Sequence, residues 1–188
     1  MSDLSHPAIQ RVVEVASRKG VTLDIQVFGD STHTAEEAAA TVGAELGQIV
    51  KSLVFVAPRL DGRLAPIVCL VSGRNRVDLH LLAAVTGESV VRRATAGEVR
   101  ELTGFSIGGV PPFGHGRSVR IVMDQDLGVY EWVWAAAGTD TAVFRVSPGT
   151  LRMLANAVVA PIAEAEWIHP ARAAVIERRL QFEAGSQA

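Results

Sequence analysis

Two short apolar runs, KSLVFVA at residues 51–57 and LAPIVCLV at 64–71, face each other across a turn marked by Pro58 and the Asp61–Gly62 pair. The second run is too short and too β-branched for a convincing helix. The first passes from a polar start to an almost wholly apolar end. Together they predict a hairpin-like pair of strands lying inside a sheet, with Pro66 near a strand start, where proline is tolerated. Whatever else this chain does, it must build enough structure to cover that pair. Its 188 residues suit one domain with a sizeable core. No internal repeat, low-complexity tract or long linker interrupts it.

The surrounding pattern supplies the cover. Pro7 to Lys19 predicts a helix, with Ile9, Val12, Val13 and Ala16 on one face and Gly20 as its cap. Leu23, Ile25 and Val27 alternate with polar residues, as in a half-buried strand. Thr34 and Glu37 form a capping box before AAATVG, and Thr95 and Glu98 form another before a helix ending near Thr103. Asp78 caps a helix through Val85, closed by Gly87, and Val90–Val91 reads as a short strand. Residues 104–116 hold five glycines and two prolines and predict a loop. Strands follow at Val119–Met123, Val129–Ala135 and Ala142–Val146. Ser147 and Pro148 open a helix from Gly149 to Val158, and Pro170 to Phe182 suits one more. The expected class is mixed α/β, with a mainly β centre and helices outside.

Composition narrows the function. A net charge of −2 argues against a protein that holds nucleic acid by charge alone, without excluding contact with an RNA end. No stretch reaches the roughly 18 apolar residues of a membrane span. The start, MSDLSHPAIQRVV, lacks a basic region leading into an apolar run, and Cys69 has no second cysteine to pair with. These features together favour the cytoplasm. CxxC, HExxH and paired-histidine spacings are missing, which argues against zinc, and neither GxGxxG nor a P-loop occurs. Cys69 lies in an apolar run and reads as core.

Four segments can carry chemistry. In IGGVPPFGHGR, Ile107 to Arg117, paired glycines allow close backbone approach and place amides side by side, prolines stiffen the turn, and His115 adds a titratable group. Such a loop can offer donors to an oxyanion, or it can be a tight connection with His115 in solvent. Lys51 opens an apolar strand, where its ammonium can reach a cleft or stay exposed at an edge. Only it and Lys19 are lysines among eighteen basic residues. In SGRNRVD, residues 72–78, Arg74 and Arg76 can contact phosphates or simply face solvent. In Thr32–His33–Thr34, the last residue caps a helix and His33 can line a pocket or merely flank the cap. GFSIG matches GxSxG, but a helix precedes Ser106 and a glycine-proline loop follows, the reverse of a nucleophile elbow.

These segments together resemble the YbaK/prolyl-tRNA synthetase-associated editing domain family. The likeness rests on THTAEEAAATVGAELGQIVKSLVF (32–55), VCLVSGRNRVDLHLLAA (68–84) and ATAGEVRELTGFSIGGVPPFGH (94–115), and continues more weakly to about Leu154. The family's lysine matches Lys51, and its GxxxPxxH motif falls on Gly108, Pro112 and His115. The resemblance implies a compact, barrel-like mixed sheet with surrounding helices. It also implies hydrolysis of the ester joining a wrong amino acid to the terminal ribose of tRNA, with no metal or organic cofactor. On this reading residues 1–165 form the editing domain and 166–188 a helical tail.

The resemblance places Lys51, Gly108, Pro112 and His115 in the site; with the segment readings above, Lys51, Gly108, Gly109 and His115 are expected in catalysis, and Thr34, Ser72, Arg74, Arg76 and Pro112 in substrate binding. Lys51 would anchor a phosphate or the ester carbonyl, amides near Gly108 and Gly109 would hold the oxyanion, and His115 would position groups first and move protons second. The expected partner is the 3′-terminal aminoacyl-adenosine of a mischarged tRNA carrying alanine, cysteine, serine or threonine, on tRNA-Pro. No membrane or DNA partner is expected, and a synthetase partner and the oligomeric state stay open. The competing readings are a non-catalytic tRNA- or nucleotide-binding module, and a synthetase-docking domain.

Overall fold

A computed structural model describes residues 4–29 and 34–164 of the chain. His33 and the helix expected at 170–182 lie outside the described residues. Five helices occur among the described residues: α1 (Pro7–Arg18), α2 (Ala35–Val42), α3 (Leu79–Thr86), α4 (Ala96–Thr103) and α5 (Pro148–Ala155). Both expected capping boxes form, Thr34 with Glu37 and Thr95 with Glu98, and Asp78 and Ser147 cap α3 and α5. Helices α2, α3 and α4 each end on a left-handed glycine (Gly43, Gly87, Gly104), a conformation without penalty for a residue that lacks Cβ.

The strands are β1 (Ile25–Val27), β2 (Ile49–Pro58), β3 (Leu64–Ser72), β4 (Arg92–Arg93), β5 (Arg120–Asp124), β6 (Val133–Ala136), β7 (Ala142–Val146) and β8 (Val158–Ala160). They form one sheet in the order β1-β7-β6-β2-β3-β5-β8, with β4 attached to β2. The expected hairpin is its centre: β2 and β3 pair antiparallel from Val50↔Ser72 to Pro58↔Leu64. The β2–β6, β3–β5 and β5–β8 pairs are parallel, so the sheet is mixed. Among the described residues its two edges do not meet, so the barrel-like form implied by resemblance is here an open sheet.

Strand alternation divides the interior. Val54 and Val56 join α1, α4, α5 and the 105–113 segment in the main core, around fully buried Phe144 and Leu151. Phe55 and Ala57 point the other way, into a cluster under α3 with Ile67, Cys69 and Leu82. A third cluster seats α2, through Ala39, on Ile49, Trp134 and Val143. Burying each such large apolar side chain contributes about 1.5–3 kcal/mol. Cys69 is core, as its apolar run implied, and burial pushes its thiol pKa well up.

Three elements depart from expectation. The strand placed at Val129–Ala135 begins only at Val133, because Gln125–Val129 winds as a 3-10 turn that sinks Leu127 into the core. Helix α5 stops at Ala155 rather than Val158. Asn156 adopts left-handed φ 50° and closes it, which frees Val158–Ala160 to pair with β5. The short strand expected at Val90–Val91 forms two residues later, at Arg92–Arg93. Asn156→Gly should leave stability unchanged or slightly higher. Asn156→Val should lower it by about 1–2 kcal/mol in urea unfolding, because a β-branched residue resists that φ.

Candidate functional site

The site begins as a break in the sheet. Strand β2 pairs with β6 only at Ile49↔Trp134 and Val50↔Ala135, and with β4 only at Phe55↔Arg93 and Val56↔Arg92. Between these pairings, the flank of β2 facing away from β3 has no strand neighbour among the described residues. There lies a cavity of about 180 Å³, lined by Lys51 and Ser52 of β2, by Gly108 and Val110 of the loop, and by Thr139 and Asp140 of the β6–β7 turn. Thr34, Ala35, Ala38 and Val42 close one side from α2, and Trp134, Ala135 and Ala136 another from β6. Most of the wall is small and apolar. Lys51 and Asp140 are its two charged groups among the described residues.

Lys51 is half-buried, and its Nζ donates to Gly73 O at 2.9 Å and Asn75 O at 2.7 Å. An ammonium has three donors, so one N–H is left over. Burial pulls its pKa down, Glu36 opposes this, and Arg93 and Arg76 add to it. The same bonds tie the start of β2 to the loop after β3. That loop is anchored from below, where Asn75 Nδ2 donates to buried Asp124 at 2.7 Å and Asp126 at 2.9 Å. Nearby, Ser72 Oγ donates to Gly47 O at 2.8 Å.

The glycine-proline loop is rigid for visible reasons. Phe105, Val110 and Phe113 plug it into the core. Gly116 N donates to Thr103 O at 2.9 Å, and Gly109 N to Ser106 O at 3.1 Å. Gly109 fits because its backbone lies against the 138–140 turn: a Cβ there would come within 2.7 Å of Thr139 Cα. Gly108 takes φ +91° and faces the cavity, and no backbone hydrogen bond among the described residues uses its amide. Of the two expected oxyanion donors, Gly109 has therefore spent its amide inside the loop and Gly108 has not.

His115 is not among the cavity's lining residues. Its Nε2 donates to Pro111 O at 2.9 Å, and its ring meets Phe105 edge-on at 6.1 Å. A carbonyl can only accept, so Nε2 carries the proton. Burial pushes the ring's pKa down to about 4, which the bond to Pro111 partly offsets. At neutral pH His115 is an uncharged brace across the PPFGH turn.

The remaining expected residues divide. Thr34 lines the cavity while its Oγ1 accepts from Glu37 N at 3.1 Å. Ser72 and Pro112 are buried and off the wall, the first holding Gly47 and the second stiffening the loop. Arg74 and Arg76 are exposed on the 73–76 loop, with Arg74 3.7 Å from Glu45. Ser106, exposed, accepts from Arg100 at 3.2 Å.

Sequence reasoning missed Ser52, Trp134, Thr139 and Asp140. Ser52 Oγ is buried without a hydrogen-bond partner among the described residues. Asp140 sits in a strand-connecting turn that carries no motif, and only the pairing of β6 with β2 brings it to the cavity that Lys51 lines. Among the described residues no group of three or more His, Cys, Asp or Glu is placed to hold a metal ion, and no helix is long and apolar enough to cross a membrane.

Comparison with known proteins is consistent in direction. A family model described as an aminoacyl-tRNA editing domain matches residues 30–154. YwhH of Bacillus subtilis is 32% identical over 128 residues, 68% of this chain and 78% of that protein. EbsC of Enterococcus faecalis, named as a candidate Cys-tRNA(Pro)/Cys-tRNA(Cys) deacylase, is 26% identical over 133 residues, 71% of this chain and 79% of its own. A solved crystal structure of a candidate trans-editing enzyme for prolyl-tRNA synthetase superposes with TM-score 0.76 at 47% identity, covering 85% of this chain and 98% of that one.

The geometry makes two predictions about stability. Gly109→Ala should destabilise more than Gly108→Ala in thermal unfolding. The first forces a methyl against backbone, whereas the second meets only Asp140 Cβ at 3.4 Å and carries the roughly 1–2 kcal/mol cost of a left-handed alanine. His115 titrates near 4 when folded and near 6.5 when unfolded. Between those values the unfolded chain binds the extra proton, so the residue's contribution is complete above about pH 6.5 and is lost as pH falls towards 4. Urea titrations of His115→Gln across that window should show a shallower acid loss than wild type.

Proposed function

The chain belongs to the aminoacyl-tRNA editing domain family, and from that membership we propose how its cavity performs the family's reaction. The protein is an aminoacyl-tRNA deacylase that acts in trans, hydrolysing the ester between a wrongly attached amino acid and the terminal ribose of tRNA. One observation carries the choice of site: Lys51, with an N–H to spare, and Gly108, with an unspent amide, open onto the same small cavity.

In this proposal the ester enters the gap beside β2. The free N–H of Lys51 holds the ester carbonyl region or the adjoining phosphate. Water attacks the carbonyl carbon, and the Gly108 amide takes the charge that develops on the carbonyl oxygen. Removing such a donor from a comparable site typically costs about 2.7–4 kcal/mol of barrier. The C–O bond to the ribose breaks, one proton of the attacking water passes to the ribose oxygen and the other to solvent, and the amino acid leaves as a carboxylate. Asp140, across the cavity, pairs with the α-ammonium that every aminoacyl ester carries. His115, neutral and bonded to Pro111, keeps the loop in shape, so its role is positioning. An aminoacyl ester is already activated, and alignment with a neighbouring ribose hydroxyl or the Ser52 hydroxyl suffices to guide the water.

Selectivity comes from size. Ala35, Ala38, Ala135 and Ala136 leave room for a small side chain, and a hydrophobic wall distinguishes one methylene by about 1–3 kcal/mol. Alanyl and cysteinyl esters suit these walls best, with seryl and threonyl esters able to use Ser52. The name of EbsC gives both tRNA(Pro) and tRNA(Cys), that of the solved trans-editing enzyme gives prolyl-tRNA synthetase, and tRNA-Pro, common to both, is the carrier in this proposal. Arg74 and Arg76, exposed beside Lys51, meet backbone phosphates.

A deacylation panel of tRNA-Pro charged with alanine, cysteine, serine or threonine tests this. Wild type should cleave at least one member, and Lys51→Met should lose about 10²–10³-fold in kcat/KM. Asp140→Asn should mainly raise KM. If Lys51→Met cleaves at the wild-type rate, the cavity is not the site. If wild type cleaves no member, the chain is better read as a non-catalytic RNA-end binding module.

A further inference from the structure

Aromatic residues make up only 5% of the chain, yet two of its three tryptophans stand two positions apart at the start of β6, and one of them lines the cavity. Trp132 directly precedes β6 and Trp134 lies within it, and what brings the two indoles together is a single guanidinium that reaches both. Arg145 lies directly across from Trp134 in the β6–β7 register. Its guanidinium carbon sits 5.2 Å from the Trp132 ring centre and 5.8 Å from that of Trp134. The two rings differ in exposure. Trp134 is 8% exposed and lines the cavity, whereas Trp132 is 41% exposed. The Trp132 backbone is fixed by a bond from Gln48 Nε2 to its carbonyl at 3.1 Å. Arg145 is exposed and forms no ion pair among the described residues.

Core packing does not account for this arrangement. Trp134 already fills the space under α2, and a large indole left on the surface next to it stabilises little. A guanidinium stacked on indoles keeps its in-plane N–H groups free for bidentate bonding, the geometry that suits a phosphate. An exposed indole beside such a group is what single-stranded RNA recognition uses, with bases stacking on the ring and the cation meeting the backbone.

We propose that Trp132 and Arg145 form a platform for the single-stranded 3′ end of the tRNA, one base stacking on the Trp132 indole and the adjoining phosphate bonding to Arg145. Trp134 connects the platform to the cavity, so a strand lying across it delivers its terminal ribose to Lys51 and Gly108. This rests on the editing reading above and adds where the RNA lies. It also explains how a protein of net charge −2 engages RNA: stacking supplies affinity that charge does not.

Steady-state deacylation of the best substrate from the panel, with Trp132→Ala and Arg145→Gln, tests the platform in the reaction. Each variant should raise KM about tenfold and leave kcat within twofold, the loss expected for one stacked base. Trp132→Phe should recover most of it. A second readout needs no ester: an uncharged RNA hairpin ending in single-stranded ACCA, titrated into each protein. It should quench wild-type tryptophan fluorescence and bind both variants about tenfold more weakly. Arg145→Gln should also lower the salt slope by about 0.7. Wild-type KM and hairpin affinity in both variants would overturn the platform while leaving the editing reading intact. Failure of wild type to cleave would fall on the reading, and the hairpin titration would still decide the platform.

Discussion

The structure depends on a strand that is paired on only one side for part of its length. The hairpin with β3 satisfies β2 along one edge from end to end. On the other edge β6 holds residues 49–50 and β4 holds 55–56, and between them the sheet parts. Backbone polar groups alternate in direction along a strand, so this gap presents main-chain groups of β2 to whatever occupies it. A sheet core would find that costly. Here the opening is roofed by α2, the glycine loop and the 138–140 turn, which make a wall around it without filling it.

That arrangement assigns different work to glycines that look alike in sequence. Gly109 permits the loop and the β6–β7 turn to touch backbone to backbone, and its amide is tied to Ser106. Gly108, with its positive φ, lines the cavity, and its own amide is used by no backbone hydrogen bond among the described residues. The prolines and His115 then fix the segment that follows, with the ring bonded to Pro111 and its pKa lowered by burial. A motif that reads as a row of catalytic groups is, in space, one amide at the wall and several residues that hold it there.

What could be read from sequence follows from how local the physics is. The capping boxes of Thr34 and Thr95, the β2–β3 hairpin and the buried Cys69 are each decided within a few residues, and each was legible. The end of α5 at Asn156 and the late start of β6 were not, because they are decided by pairing with β5 and by the burial of Leu127. The candidate site divides the same way. Lys51 and Gly108 announced themselves through resemblance, whereas Asp140, Ser52 and Trp134 have no signature beyond their place at the sheet's parting. Their relevance is a property of strand order, and strand order lies beyond any local window.

Lys51 shows why structure and chemistry need not be separate here. A half-buried ammonium without acceptors would be costly, and one with all three donors satisfied by protein would be inert towards a ligand. Two bonds, to Gly73 and Asn75, meet most of the first requirement and avoid the second. They also pin the 73–76 loop through the carbonyls of Gly73 and Asn75. A swap to arginine would keep the charge but not the point-like head that fits between two carbonyls with a donor left over. In a chain that otherwise uses arginine almost throughout, that geometric demand is a physical reason for lysine at position 51.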